Sequence, residues 1–163
     1  MGILWSLTGG NVGDSQKVYA ILKEYVPGGV IDCYVGSHAH EDHMGAAAAV
    51  LNAVKPSNIL CPNNSATQKF FSDFLKYSKQ HDISPRCPKL GEEFMHGGAY
   101  IKILAPFHPN DANVNNTSIA LKVTYGKTSF LFTGDAESEE EHDLIGKWGD
   151  VLKCNVFKVG HHG

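Results

Sequence analysis

Six consecutive residues, His38-Ala39-His40-Glu41-Asp42-His43, bring three imidazoles and the Asp42 carboxylate into one short segment. Neutral imidazole combined with carboxylate suits zinc best, with manganese or iron also compatible. So many donors exceed what one mononuclear centre draws from a single loop, which points to two adjacent metals sharing it. In extended chain, side chains two residues apart face the same way. His38, His40 and Asp42 are therefore expected to converge, with His43 turning in from the start of a following helix. A solvated histidine-rich loop is the competing reading, but the run is internal, its spacing is irregular, and an apolar stretch leads into it.

Two later segments offer further donors. Asp135 follows Phe130-Leu131-Phe132-Thr133-Gly134, where a Gly-Asp pair after a strand is by itself most often a turn. His161 and His162 are adjacent, so on an extended backbone they face opposite ways and only one readily joins a given metal. His81, His96, His108 and His142 are scattered singly and read as surface or packed histidines, although His108 sits in a Pro-Phe-His-Pro loop that could flank a site.

The elements that must position these groups alternate along the first half. A strand at residues 3–7 is followed by a glycine-rich loop. Asp14 or Ser15 can then cap a helix bearing Val18, Ile21, Leu22 and Tyr25, which Pro27-Gly28-Gly29 stops. The apolar run 30–35 predicts a buried strand that delivers the chain into the histidine motif, and the alanine-rich segment from His43 to about Val54 predicts a helix. A short strand at 59–61 and a helix near 66–80, with Phe70, Phe71, Phe74 and Leu75 inward, repeat the pattern. From Gly91 the rhythm changes to strands at 100–104, 118–124 and 129–133, with a hairpin at Gly126-Lys127. A helix at 137–147, acidic in its first turn, and a strand at 156–159 complete an α/β pattern.

Composition narrows the partners. A chain of 163 residues suits one domain spanning 1–163. Its formal charge of −3 gives no general attraction to polyanions, so binding of a phosphate or nucleic acid must come from a local site. Cys33, Cys61, Cys87 and Cys154 form no C-x-x-C pair and read as ordinary reduced or buried thiols. No run of 18 apolar residues and no leader-like start are present, so the expectation is a cytoplasmic chain with no membrane segment.

The H-x-H-x-D-H run after a strand, Thr133-Gly134-Asp135 at a strand end, and Lys158-Val159-Gly160-His161-His162-Gly163 together resemble the metallo-β-lactamase superfamily. With Asn115-Asn116-Thr117-Ser118 and Asp150-Val151-Leu152-Lys153 the resemblance narrows to the ComEC-type competence-protein metallohydrolase domain and phosphorylcholine esterase. It covers residues 3–163. It implies an α/β fold of the four-layer αββα sandwich type, with zinc at two sites and manganese or iron as substitutes. It also implies His38, His40 and His161 on the first metal, Asp42 and His43 on the second, and Asp135 bridging both. A hydroxide held between the metals would be the nucleophile, with Asp42, Asp135 and His162 as the catalytic groups. His162 would support a ligand or face the substrate, or else lie on the surface. Asn116 and Ser118 fall where many members carry another histidine. They would hydrogen-bond a substrate phosphate or orient a ligand, although turn chemistry explains the asparagine pair as well. Gly45 is expected to keep a side chain from crowding the metal loop.

The resemblance favours a phosphodiester substrate, a nucleotide, nucleic acid or phosphorylcholine-type molecule. Ester, thioester or lactam hydrolysis and an inactive metal-binding fragment are the alternatives. The family's opening hairpin is absent or altered here, and the family continues past His-His-Gly to a further histidine. The expectation is therefore an incomplete domain, truncated at its C-terminus, whose second metal is weakly held unless a missing segment, a partner chain or a homo-oligomer completes it.

Overall fold

In the computed structural model the described residues are 3–5, 20–26, 28–63 and 68–161. The expected caps Asp14 and Ser15, and His162 and Gly163, lie outside them. The chain divides into two compact units, Met1–Cys87 and Pro88–Gly163.

The first unit holds a parallel sheet of β1 (Ile3–Trp5), β2 (Val30–Val35) and β3 (Lys55–Leu60), in that order. β2 lies between the other two strands, and its Cys33-Tyr34-Val35 end is buried without alternation, as befits a parallel strand covered on both faces. β3 begins four residues earlier than the sequence suggests. Its Lys55-Pro56-Ser57-Asn58 start looks like loop, yet it pairs in register with Val30, Ile31 and Cys33 of β2. Pro56 donates no ladder bond, which this strand tolerates because among the described residues its start pairs with β2 alone, Arg86 joining its other side only at Ile59 and Leu60.

The expected single helix after the histidine motif is two short ones. α1 (Glu41–Met44) and α2 (Ala47–Ala53) are separated by a turn at Gly45-Ala46. α3 (Lys69–Gln80) buries Phe71, Phe74 and Ser78, a stripe at spacings of three and four. Leu75, expected inward, is 43% exposed because it lies one position round the helix from Phe74. Phe74 packs near Tyr34 of β2, with ring centroids 6.3 Å apart.

The second unit is a five-stranded sheet in sequential order: β4 (Glu93–His96), β5 (Ala99–Ile103), β6 (Leu121–Tyr125), β7 (Thr128–Phe132) and β8 (Val156–Lys158). The pairs are antiparallel up to β7, and β8 runs parallel to β7. The β4–β5 hairpin turns on Gly97-Gly98, both at positive φ (55° and 81°), as a two-residue type I′ loop requires. The expected strand at 118–124 starts only at Leu121, because Val114–Thr117 forms a 3-10 turn ahead of it.

α4 (Ser138–Trp148) packs Leu144 with Leu104, Ala105, Ala120, Leu131 and Ala136, and its Trp148 indole N–H donates to the Leu104 carbonyl at 2.8 Å. Inside this helix Glu140 is buried, and its Oε1 accepts the Phe107 N–H at 2.7 Å. Burial holds the Glu140 carboxyl above the usual carboxylate range, partly offset by that bond and by nearby His108. A carboxyl raised in the folded state binds its proton more readily there than in the unfolded chain. Stability is therefore lost as pH rises from the ordinary carboxyl range through the folded value. Glu140→Gln is expected to raise the urea midpoint at about pH 7, with the gain shrinking towards about pH 4. A lower midpoint at neutral pH would contradict this account of Glu140.

Candidate metal centre

In the first unit the site grows from the end of β2. The Gly36 N–H donates to the Leu60 carbonyl at 2.9 Å, holding the chain to the neighbouring strand until it enters Ser37 and His38. Both residues are buried, His38 completely. His40 is the N-cap of α1 with extended backbone, and its carbonyl accepts the Met44 N–H at 2.9 Å and the His43 N–H at 3.1 Å. Asp42 is thus helical, not part of an extended run, which corrects the expectation that it converges with His38 and His40 by two-residue alternation. It lies instead beside His43, with Asp42 Oδ2 3.5 Å from His43 Nε2.

The three imidazoles do come together. His38 and His40 rings meet edge-on with centroids 4.8 Å apart, and His38 and His43 lie 4.1 Å apart. His38 Nε2 stands 3.1 Å from His40 Nδ1. Two imidazole nitrogens on one tetrahedral zinc, each at about 2.0–2.1 Å, stand about 3.3 Å apart, so this pair matches an edge of such a coordination sphere.

Ser37 Oγ lies 3.2 Å from His38 Nδ1 and 3.2 Å from His43 Nδ1. A hydroxyl carries one hydrogen, so at least one ring donates its Nδ1–H to Ser37 and presents Nε2 as a lone pair, the form a metal takes. Ser37 escaped the sequence reading; its place directly before His38 was the available signal. The buried thiols contribute nothing comparable. Burial pushes Cys33 up to about 11 and Cys61 up to about 12, so both stay protonated near neutral pH.

Two glycines shape this loop. A Cβ on Gly36 would stand 2.9 Å from Met44 Sδ and Cε, and one on Gly45 would stand 2.3 Å from the Glu41 carbonyl oxygen.

In the second unit β7 leads directly into Thr133, Gly134 at φ 59°, and Asp135, which is 2% exposed. The Asp135 N–H donates to Ser118 Oγ at 3.0 Å, and the Glu137 N–H donates to Asn116 Oδ1 at 3.2 Å. The Glu137 carboxylate accepts from Asn115 Nδ2 at 2.7 Å and Asn113 Nδ2 at 2.8 Å. Asn113 and Glu137 were not singled out from sequence. His161, beyond β8, donates its N–H to the Gly134 carbonyl at 3.2 Å, which ties the His161 segment to the loop that carries Asp135. His161 itself is exposed and takes φ 56°. The structure thus gathers His38, His40, Asp42 and His43 in one unit, and the Asp135 and His161 segments in the other.

Comparison with known proteins agrees with this reading. Residues 8–163 match the family described as the metallo-beta-lactamase superfamily. The chain belongs to that superfamily of hydrolases, with its α/β metallo-β-lactamase fold and the divalent-metal binding that the fold implies. Among curated relatives, it is 28% identical over 133 residues to ComE operon protein 3 of Bacillus subtilis, covering 82% of this chain and 17% of that protein. It is 27% identical over 166 residues to Recombination protein 2 of Haemophilus influenzae, covering 99% of this chain and 19% of that one. The chain therefore spans under a fifth of the length of either relative. A metallo-β-lactamase structure from Cronobacter sakazakii shares the fold at a TM-score of 0.62 and 13% identity, over 98% of this chain and 67% of that one. Among the described residues, no helix is long and apolar enough to cross a membrane.

Proposed function

We propose that the protein is a metal-dependent phosphodiester hydrolase in which His38, His40, Asp42 and His43, with Asp135 and His161, hold two divalent metals. The observation that carries this reading is the convergence of three imidazoles around His38, with two ring nitrogens at the spacing of shared metal ligands. When bound, the metals would lower the pKa of water towards about 7 and withdraw charge from phosphoryl oxygens.

The chain's own residues prepare for this. Ser37 fixes the rotation of two rings, and the buried backbone around His38 keeps the donors from scattering into solvent. The Asp42 and Asp135 carboxylates supply negative charge to balance two dications. Choice of a phosphodiester is supported by relatives whose names refer to a ComE operon and to recombination. Zinc is the preferred metal because the donors are nitrogen and oxygen with imidazole in the majority, and manganese is the first substitute.

A substrate panel tests the reading. With zinc or manganese added, bis(p-nitrophenyl) phosphate is expected to be cleaved, and p-nitrophenyl acetate and a chromogenic cephalosporin to be cleaved far more slowly. Faster turnover of the ester or the lactam would refute the phosphodiester assignment.

A further inference from the structure

The Asn113-to-Ser118 segment spends its polar side chains on the loop that carries Asp135. Ser118 Oγ accepts the Asp135 amide hydrogen inside the protein, where Ser118 is fully buried and Asp135 nearly so. Two residues before Ser118, Asn116 Oδ1 accepts the amide hydrogen of Glu137, two residues after Asp135. The Glu137 carboxylate closes the arrangement by accepting one amide hydrogen bond from Asn115 on one oxygen and one from Asn113 on the other. Four side-chain bonds thus join two segments 17 to 24 residues apart in sequence.

Such a latch has a clear physical purpose. The chain leaves β7 through Gly134, at φ 59°, and would otherwise have several backbone torsions with which to swing the next carboxylate. A carboxylate that ligates metal must be held within about 0.5 Å of its productive position, and the bonds of supporting groups do this. Binding both the Asp135 and the Glu137 amides fixes the loop on each side of Ala136. The two bonds to the Glu137 carboxylate are charge-assisted and therefore the stronger part of the latch.

We propose that Ser118, Asn116 and Glu137 are positioning residues that hold the Asp135 loop in its metal-binding geometry, rather than groups that touch the substrate. This rests on the reading of Asp135 as a metal ligand. The two roles predict different measurements. A substrate contact at Ser118 or Asn116 would raise KM and leave metal affinity alone. A latch acts on the metal: Ser118→Ala and Asn116→Ala are expected to weaken zinc binding by about 10–100-fold. Glu137→Gln keeps the volume but has only one oxygen to accept the two asparagine amides, so it should weaken binding in the same direction.

The experiment is a competitive zinc titration of the wild type and the three variants, joined to amide hydrogen exchange of Asp135 and Glu137 in the metal-free proteins. The latch predicts faster exchange of the Asp135 amide in Ser118→Ala and of the Glu137 amide in Asn116→Ala, with zinc affinity reduced in both. Unchanged zinc affinity in folded variants, with or without a raised KM, overturns it. Unchanged amide exchange overturns it as well, and Glu137→Gln serves where an alanine variant does not fold. A wild type that binds no zinc would instead refute Asp135 as a ligand, while the exchange data still judge whether the latch holds the loop.

Discussion

Asp135→Asn is expected to reduce metal-dependent hydrolysis by about three orders of magnitude while leaving the protein folded. The substitution keeps the shape of the side chain and the main-chain N–H that Ser118 accepts, and removes the charge and one of the two carboxylate oxygens that could ligate a metal. A bound metal supplies several kcal/mol of charge stabilisation, and each 1.36 kcal/mol is about a factor of ten in rate. His38→Ala is expected to be equally inactive for a second reason besides the lost nitrogen. His38 is fully buried and packed against both neighbouring imidazoles, so its removal also leaves a void and frees the Ser37 hydroxyl from one partner. The pair of variants therefore separates chemistry from structure: Asp135→Asn should melt close to the wild type without metal, and His38→Ala should melt lower. Activity of Asp135→Asn within tenfold of the wild type would remove Asp135 from the reaction.

The second large effect is expected at Gly45. Its φ of −58° is ordinary for any residue, so backbone preference does not require glycine there. The requirement is steric: a Cβ would sit 2.3 Å from the Glu41 carbonyl oxygen, and that oxygen accepts the Gly45 N–H at 2.7 Å. Backbone cannot step aside as a side chain can, so Gly45→Ala has to unwind α1, the turn that carries Asp42 and His43. The expected result is a 10–100-fold loss of metal affinity, with destabilisation of about 1–3 kcal/mol, as for overpacking. Gly36→Ala makes the informative contrast. Its new Cβ would meet the Met44 side chain, with Sδ and Cε at 2.9 Å and Cγ at 3.2 Å, and an unbranched thioether yields more readily than backbone. The larger effect should fall on Gly45, and equal effects in the two variants would show that the clash with Glu41 is not what matters.

How much of this was readable beforehand depended on the kind of signal. The histidine motif stood out because imidazoles are uncommon and six residues held three of them, and β2 because its apolar run has no interruption. β3 was read short because Lys55-Pro56-Ser57-Asn58 looks like loop; its strand geometry comes from pairing with β2, a tertiary cause that local composition does not carry. β4 could have been found from Gly97-Gly98, a two-residue hairpin signal between alternating runs. The helical start at Glu41 was missed because an extended loop was assumed through Asp42, when His40 already serves as N-cap. Ser37 and Glu137 were beyond reach for a simpler reason. Serine and glutamate are common surface residues, and only the distances to His38, His43, Asn113 and Asn115 give them a role.

The central claim, that these residues form a metal centre, is tested most directly by metal analysis. After exposure to zinc or manganese and removal of loosely bound ions, the purified wild type and the His38→Ala and Asp135→Asn variants would be assayed by plasma mass spectrometry. The account predicts at least one equivalent of metal per wild-type chain and little or none in either variant. A wild type that keeps no more metal than the variants would contradict it.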